Sequence, residues 1–230
     1  MVNMAPGILS PETFRFFREL GRNNNKAWMD VNRARYQSTI VAPLRALLEA
    51  LTAPVRKLNP EFDVSGRTGT NFSRINRDIR FAKDKSPYRT QMYLKFSDQR
   101  AADGDDGQLY VGISPEAVTC GFRIYGGRGS KLARIAVPRA SQNAAWLARQ
   151  AKRLRKRYDS YWYVMEKGEW TKHTGWPVKP EEWKKMRGWI VRRKLKPAAA
   201  TRASFPNEVA KIFRELFPLY EFTSLKDLPQ

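Results

Sequence analysis

Residues 117–127 read AVTCGFRIYGG, and this short run decides the fold class. It is rich in β-branched and aromatic side chains, too short for an amphipathic helix, and closed by a glycine pair. Working toward the N-terminus, QMYLKFS (91–97) and GQLYVGIS (107–114) have the same character. Three such runs bounded by turn residues predict a largely antiparallel sheet over about 70–126. Asp103, Gly104, Asp105, Asp106 and Gly107 read as a solvated hairpin loop, because these are ordinary turn residues. Its acids lack the longer ligand pattern, ending in Glu, of an EF-hand.

Helical periodicity flanks the sheet on both sides. Upstream, Ser10 and Pro11 open a helix whose apolar stripe is Phe14, Phe17 and Leu20, with Gly21 ending it. Asn23 to Asn25 form a turn and offer a cap for a second helix over 26–38. A third helix starts near Pro43 with Leu44, Leu47, Leu48, Leu51 and Val55 on one face, and Pro54 is expected to kink or end it. Downstream, Ser141 is expected to start a basic helix to about Tyr158. YWYVMEKGEWTKH (161–173) reads as a hairpin turning at Lys167 and Gly168. GWIVRRKLK (188–196) is a further strand, and a last helix runs over about 206–217. The expected architecture is a single α+β domain over 1–230, with N-terminal helices over about 10–58, the central sheet, a hairpin and strand over 160–196, and flanking C-terminal helices.

Of the 230 residues, 43 are Lys or Arg and 22 are Asp or Glu, a formal net charge of +21. Such an excess points toward a polyanionic partner (nucleic acid, an anionic membrane surface or a phosphorylated ligand), the alternative being a generally basic proteome or a solubility effect. The single cysteine, Cys120, rules out an internal disulfide framework. The single histidine, His173, argues against a His-based metal centre or a Ser-His-Asp triad, so no metal and no cofactor are expected. No secretory leader is visible in MVNMAPGILSPETF, and no apolar run approaches membrane-spanning length. A cytoplasmic protein without membrane contact is therefore expected.

The stretch RINRDIRFAKDKSPY (74–88) is the candidate site. Seven of its fifteen side chains are charged, with Ile75, Ile79 and Phe81 threaded among them. As a strand it puts Ile75, Arg77, Ile79 and Phe81 on one face, and Arg77 then needs an anionic partner. As a helix, Phe72, Ile75, Ile79 and Ala82 make the inward stripe. Scarce Ala and Leu, and the sheet that follows, favour the strand. On either reading KDKSP turns the second half back toward the first. Arg74, Arg77, Arg80 and Lys85 suit phosphate capture, Tyr88 suits donation or stacking, and Asp78 could act as a base. The alternative is an internal salt-bridge lattice.

These residues carry a resemblance. Arg74, Arg77, Asp78, Arg80, Phe81, Asp84, Lys85 and Tyr88 match the pattern R-x-x-R-D-x-R-F-x-x-x-[DN]-K-x-x-Y of a bacterial family with fungal relatives, domain of unknown function 2461. The opening FFRELGRNNNKAWMDVNRARYQ is similar to that family's through Asn24, Asn25, Trp28, Asn32 and Tyr36, while Met29 stands where an aromatic is usual. LYVGISPE also resembles the family, whereas 140–200 does so only loosely. The resemblance implies a fold and a shared site rather than a reaction. It groups Asn25, Trp28 and Tyr36 with the charged stretch as one expected pocket.

Residues 149–196 hold sixteen Lys or Arg against five Asp or Glu, interleaved with five tryptophans and three tyrosines from Tyr158 onward. Basic residues among aromatics are what a single-stranded nucleic-acid surface uses, and Arg149, Lys152, Arg153, Lys156, Arg192 and Arg193 are its candidates; the alternative is that the aromatics are core and the charges a solvated face. Three functions are consistent with the sequence. One is an anion-binding protein whose Arg/Lys/Asp/Tyr pocket holds a phosphate-bearing ligand or nucleic acid. Another is a phosphoester enzyme using Asp78 with Arg74, Arg77 and Lys85. The third is a salt-bridged protein-interaction module.

Overall fold

The computed structural model describes residues 7–101, 106–127 and 129–225. Four helices lead: α1 (Pro11–Arg22), α2 (Lys26–Val31), α3 (Arg33–Tyr36) and α4 (Ala42–Leu58). Strands β1 (Met92–Phe96), β2 (Gln108–Ile113) and β3 (Val118–Tyr125) follow, then α5 (Val137–Gln142) and α6 (Ala144–Leu154). The chain continues through β4 (Asp159–Glu166), β5 (Glu169–Thr174), α7 (Pro180–Lys185), β6 (Met186–Leu195), α8 (Pro197–Ala200) and α9 (Phe205–Ser224). The strands form one six-stranded antiparallel sheet in the order β1-β2-β3-β6-β4-β5. The fold is α+β.

The described residues fall into two compact units. The first draws on the chain up to Phe96, Val111–Thr119 and Leu195–Lys211; the second on Ser97–Tyr110, Cys120–Lys194 and from Ile212 onward. In the first, the α1 stripe buries Phe14, Phe17 and Leu20, and Phe16 is buried with them. Helix α4 buries Leu44, Leu47, Leu48, Leu51 and Val55. In the second, Trp183 and Trp189 are fully buried and pack edge to face with centroids 5.1 Å apart. Each indole N–H has a partner, the Pro177 carbonyl at 2.9 Å for Trp183 and Ser160 Oγ at 3.0 Å for Trp189, so no polar cost offsets their burial.

Gly121 lets β3 lie against β6: a Cβ there would stand 2.3 Å from the Val191 carbonyl oxygen. The β4–β5 hairpin turns at Lys167 and Gly168, where the sequence places it, and both have positive φ (50° and 83°), as a two-residue type I′ turn requires.

Several boundaries differ from expectation. Residues 74–81 are not a strand: the chain there makes only an isolated bridge, Asn76 with Tyr88, and the first strand starts at Met92. The stretch is an irregular loop in which Arg77 pairs with Asp84 and Arg80 with Asp78, and its two arms share only a short backbone pairing at the base. Pro54 lies inside α4 and does not end it. Burial of Leu51 and Val55 on either side outweighs the one backbone hydrogen bond that proline forfeits. The second helix breaks at Asn32 and continues through a π-turn at Gln37–Val41. The helical run Arg33–Leu58 is, by length and composition, apolar enough to cross a membrane. Its buried leucine stripe is also what a core helix shows. The basic helix does not start at Ser141. It is α6, preceded by α5, and Tyr158 lies beyond its end.

Of the acidic loop, Asp103, Gly104 and Asp105 lie outside the described residues. Asp106 is not a solvated turn residue. It is buried, accepting from Lys131 Nζ at 3.0 Å, the Tyr220 hydroxyl at 3.0 Å and the Asp98 amide at 3.0 Å. Lys131 and Tyr220 come from distant sequence, so turn chemistry alone could not reveal this hub.

Replacing Asp106 by Ala leaves Lys131 largely buried without its carboxylate. The expected loss is about 3–5 kcal/mol of unfolding free energy in urea titration.

Candidate functional site

The charged stretch is a doubled-back loop. Its arms pair at their base: the Arg77 amide donates to the Pro87 carbonyl at 2.8 Å and the Arg89 amide to the Ile75 carbonyl at 2.7 Å. The turn at KDKSP thus folds the loop back as the sequence predicts. The loop is fastened to the N-terminal helices by a side chain. Asn24 Nδ2 donates to the Tyr88 carbonyl at 2.8 Å, and the Tyr88 amide donates to Asn24 Oδ1 at 3.0 Å. One amide group therefore satisfies both backbone groups of Tyr88, whose ring is buried.

Most of the loop's charges face each other. Arg77 Nη1 lies 2.5 Å from Asp84 and 3.0 Å from the Ser86 carbonyl, with its side chain only 25% exposed. Arg80 forms a two-pronged pair with Asp78, at 3.0 Å and 2.6 Å. Lys85 Nζ donates to the Ile79 carbonyl at 3.1 Å. Hydrogen bonds from Ser86, and then from Arg77, pull Asp84 down to about 2. Arg80 beside Asp78 holds that carboxyl below its usual range. At the tip, Phe81 is 95% exposed beneath the Arg80 guanidinium.

Arg74 differs from its neighbours. It is exposed and makes no hydrogen bond or ion pair among the described residues. It stands at a pocket of about 230 Å³ whose walls are Tyr36, Val41, Leu44, Phe72, Ile75 and Met92. Arg45, from α4, stands at the same pocket with its Cζ 5.7 Å from the Phe72 centroid, and it too has no carboxylate partner among the described residues. Burial pushes the Tyr36 phenol up, and the phenol makes no hydrogen bond among the described residues. Arg45 is the residue that sequence reasoning missed. It lies on a helix face that periodicity assigns simply to the outside of a leucine stripe.

The other residues grouped with the loop divide their work. Tyr36 lines the pocket with Arg74. Asn25 caps α2, accepting from the Trp28 amide at 2.9 Å. Trp28 packs on Phe16 with centroids 5.5 Å apart. Asn24, named in the family pattern only, makes the fastening contact.

In the second unit, Arg155, Lys156, Arg157, Arg192, Arg193 and Lys194 surround a depression of about 410 Å³, with Asp159 the one acid among them. Lys156, Arg192 and Arg193 are thus brought together. Arg149 and Lys152 are exposed on α6 and do not line it. Arg153 donates to Gln150 Oε1 at 2.7 Å and to the Glu215 carbonyl at 2.9 Å. Arg157 pairs with Glu215 at 2.8 Å, and the Tyr158 hydroxyl donates to the same carboxylate. Burial and this bond push the Tyr158 phenol up. His173 stacks on Trp162 at 4.3 Å. Among the described residues no three of His, Cys, Asp or Glu cluster as metal ligands.

Two outcomes test the loop. Asn24→Ala removes both bonds to Tyr88, and the expected cost is about 1–3 kcal/mol in urea, with faster proteolysis at residues 79–86. The Asp84 carboxyl has a lowered pKa in the folded loop, so the stabilisation it adds is fully present above its unfolded value near pH 4. That stabilisation is lost as pH falls through about 2. Side-chain carboxyl NMR should therefore show Asp84 ionised at pH 3.5.

A search of curated proteins finds no match for the chain. The family profile described as "Conserved hypothetical protein (DUF2461)" matches residues 12–222. That span contains the fastened loop, the pocket beside it and the basic depression. The chain belongs to the DUF2461 family.

Proposed function

We propose that this protein binds a small organic anion, a phosphate ester on an apolar body, in the pocket between α4 and the base of the charged loop. One observation carries the reading. Two arginines without carboxylate partners among the described residues, Arg45 and Arg74, line a cavity whose other walls are mostly apolar, with Thr68, Ser73 and Asn76 beside them. An arginine can engage phosphate through two parallel hydrogen bonds. The cavity wall supplies area to exclude water from an apolar group, and the Tyr36 phenol is a spare donor. The paired charges of the loop, Arg77 with Asp84 and Arg80 with Asp78, support a different role: they hold Arg74 and Ile75 in place.

The phosphoester-enzyme reading draws less support. Asp78 is engaged by Arg80, which lowers its basicity, and a lowered pKa makes a weaker general base. A salt-bridged interaction module accounts for the loop but not for the two uncommitted arginines beside a cavity.

Phenyl phosphate is a suitable probe, with inorganic phosphate and phenol as the two halves. Calorimetry should find phenyl phosphate bound more tightly than either half. Arg74→Ala and Arg45→Ala should each weaken it about tenfold or more. Both side chains are exposed, so the folded state should be retained. Equal affinity for phenyl phosphate and inorganic phosphate, or no effect of either substitution, would refute the pocket reading.

A further inference from the structure

The register of the β4–β5–β6 ribbon sorts its side chains onto two faces. Trp162, Val164, Trp189 and Val191 are buried on one. The other carries Tyr161, Tyr163 and Met165 from β4, opposite Thr174, Lys172 and Trp170 of β5; it is buried at Tyr161 and Ile190 and opens toward β5. Arg192 of β6 stands opposite Asp159 on that same face. Trp170 is 56% exposed and Met165 is 42% exposed, although β5 is an edge strand, where a bare indole is a liability without a use. Tyr163 and Trp170 meet edge to face at 6.1 Å.

Cations continue this aromatic surface. Lys172 Nζ lies 4.3 Å from the Tyr161 centroid and the Arg192 guanidinium 5.0 Å from it. Arg192 Nε is buried and has no hydrogen-bond partner among the described residues. Arg192 then leads into the basic depression, where Lys156 and Lys194 are exposed. Six residue steps along the strand lead from Asp159 to Met165, about 20 Å at ~3.3 Å per step.

We infer that this face is a binding platform for single-stranded nucleic acid, with Trp170 and Tyr163 stacking on bases and Lys172, Arg192, Lys156 and Lys194 tracking the phosphates. The length suits a site of about four nucleotides, the short end of what such platforms cover. An exposed indole beside a half-buried tyrosine fits unpaired bases, whereas a duplex hides its bases within the stack and presents mainly phosphates to a flat ribbon. The aromatic residues distinguish this surface from a simple polyanion patch. The site is separate from the small-anion pocket of the first unit and does not depend on it.

The test is fluorescence anisotropy of a labelled twelve-nucleotide thymidine strand, a duplex of the same length, and anionic phosphatidylserine vesicles, on the full chain. The expected result is tighter binding of the single strand than of the duplex. Affinity should fall as salt rises, with a log–log slope of about −2 to −3 for three to four phosphates. Trp170→Ala should weaken the single strand about tenfold with an unchanged circular dichroism spectrum, and Trp170→Phe should retain most of the binding. Lys172→Ala with Lys194→Ala should flatten the salt slope. Equal affinity for strand and duplex with no effect of Trp170→Ala would overturn the inference in favour of a nonspecific basic patch. Binding to vesicles but not to the strand would overturn it in favour of a membrane surface.

Discussion

The side-chain amide of Asn24 does for the charged loop what a neighbouring strand would otherwise have to do. It donates to and accepts from the backbone of Tyr88, a residue 64 positions away, and so joins the loop to the helix pair that precedes it. A strand would satisfy many backbone groups along its length. Here one amide satisfies two, the arms exchange two backbone bonds at the base, and side chains pair with each other or with loop carbonyls along the rest. The base of the loop is fixed in this way, and the base is where Ile75 and Arg74 meet the walls formed by Tyr36 and Leu44.

The pairings in the loop explain why so many charges can sit together without an outside ligand. Arg77 finds Asp84, Arg80 finds Asp78, and Lys85 finds a backbone carbonyl. An exposed pair of this kind contributes little stability by itself. Several around one tight turn restrict the shapes the turn can take, and the apolar residues at its base then have a defined wall to complete. Arg74 and Arg45 stand outside this accounting, so the chemical interest of the first unit moves from the centre of the charged stretch to its edge.

The second unit handles charge differently. Asp106 gathers Lys131, Tyr220 and a backbone amide in the interior, while Glu215 holds Arg157 and Tyr158. These acids neutralise the basic residues nearest the core. The excess is left on a ribbon surface, where Lys172 and Arg192 lie over a tyrosine ring and gain cation–π attraction in place of a carboxylate.

The sequence by itself determined the element types: an apolar stripe at helical spacing in α1 and α4, short β-branched and aromatic runs for β1 to β3, and a Lys-Gly turn for the β4–β5 hairpin. These follow from periodicity and backbone preference, which act over a few residues. It also determined the doubling back of the charged stretch, because KDKSP is local turn chemistry, and it carried the family pattern. Only the tertiary structure decided which charges are spoken for. Whether Arg77 or Arg74 is the uncommitted arginine depends on where Asp84 comes to rest. Arg45 joins Arg74 only because α4 packs beside the loop, and Asp106 becomes a buried hub only when Lys131 and Tyr220 converge on it. Ion pairs and pocket walls are set by distances in space between residues far apart in the chain, and one-dimensional spacing does not encode those distances.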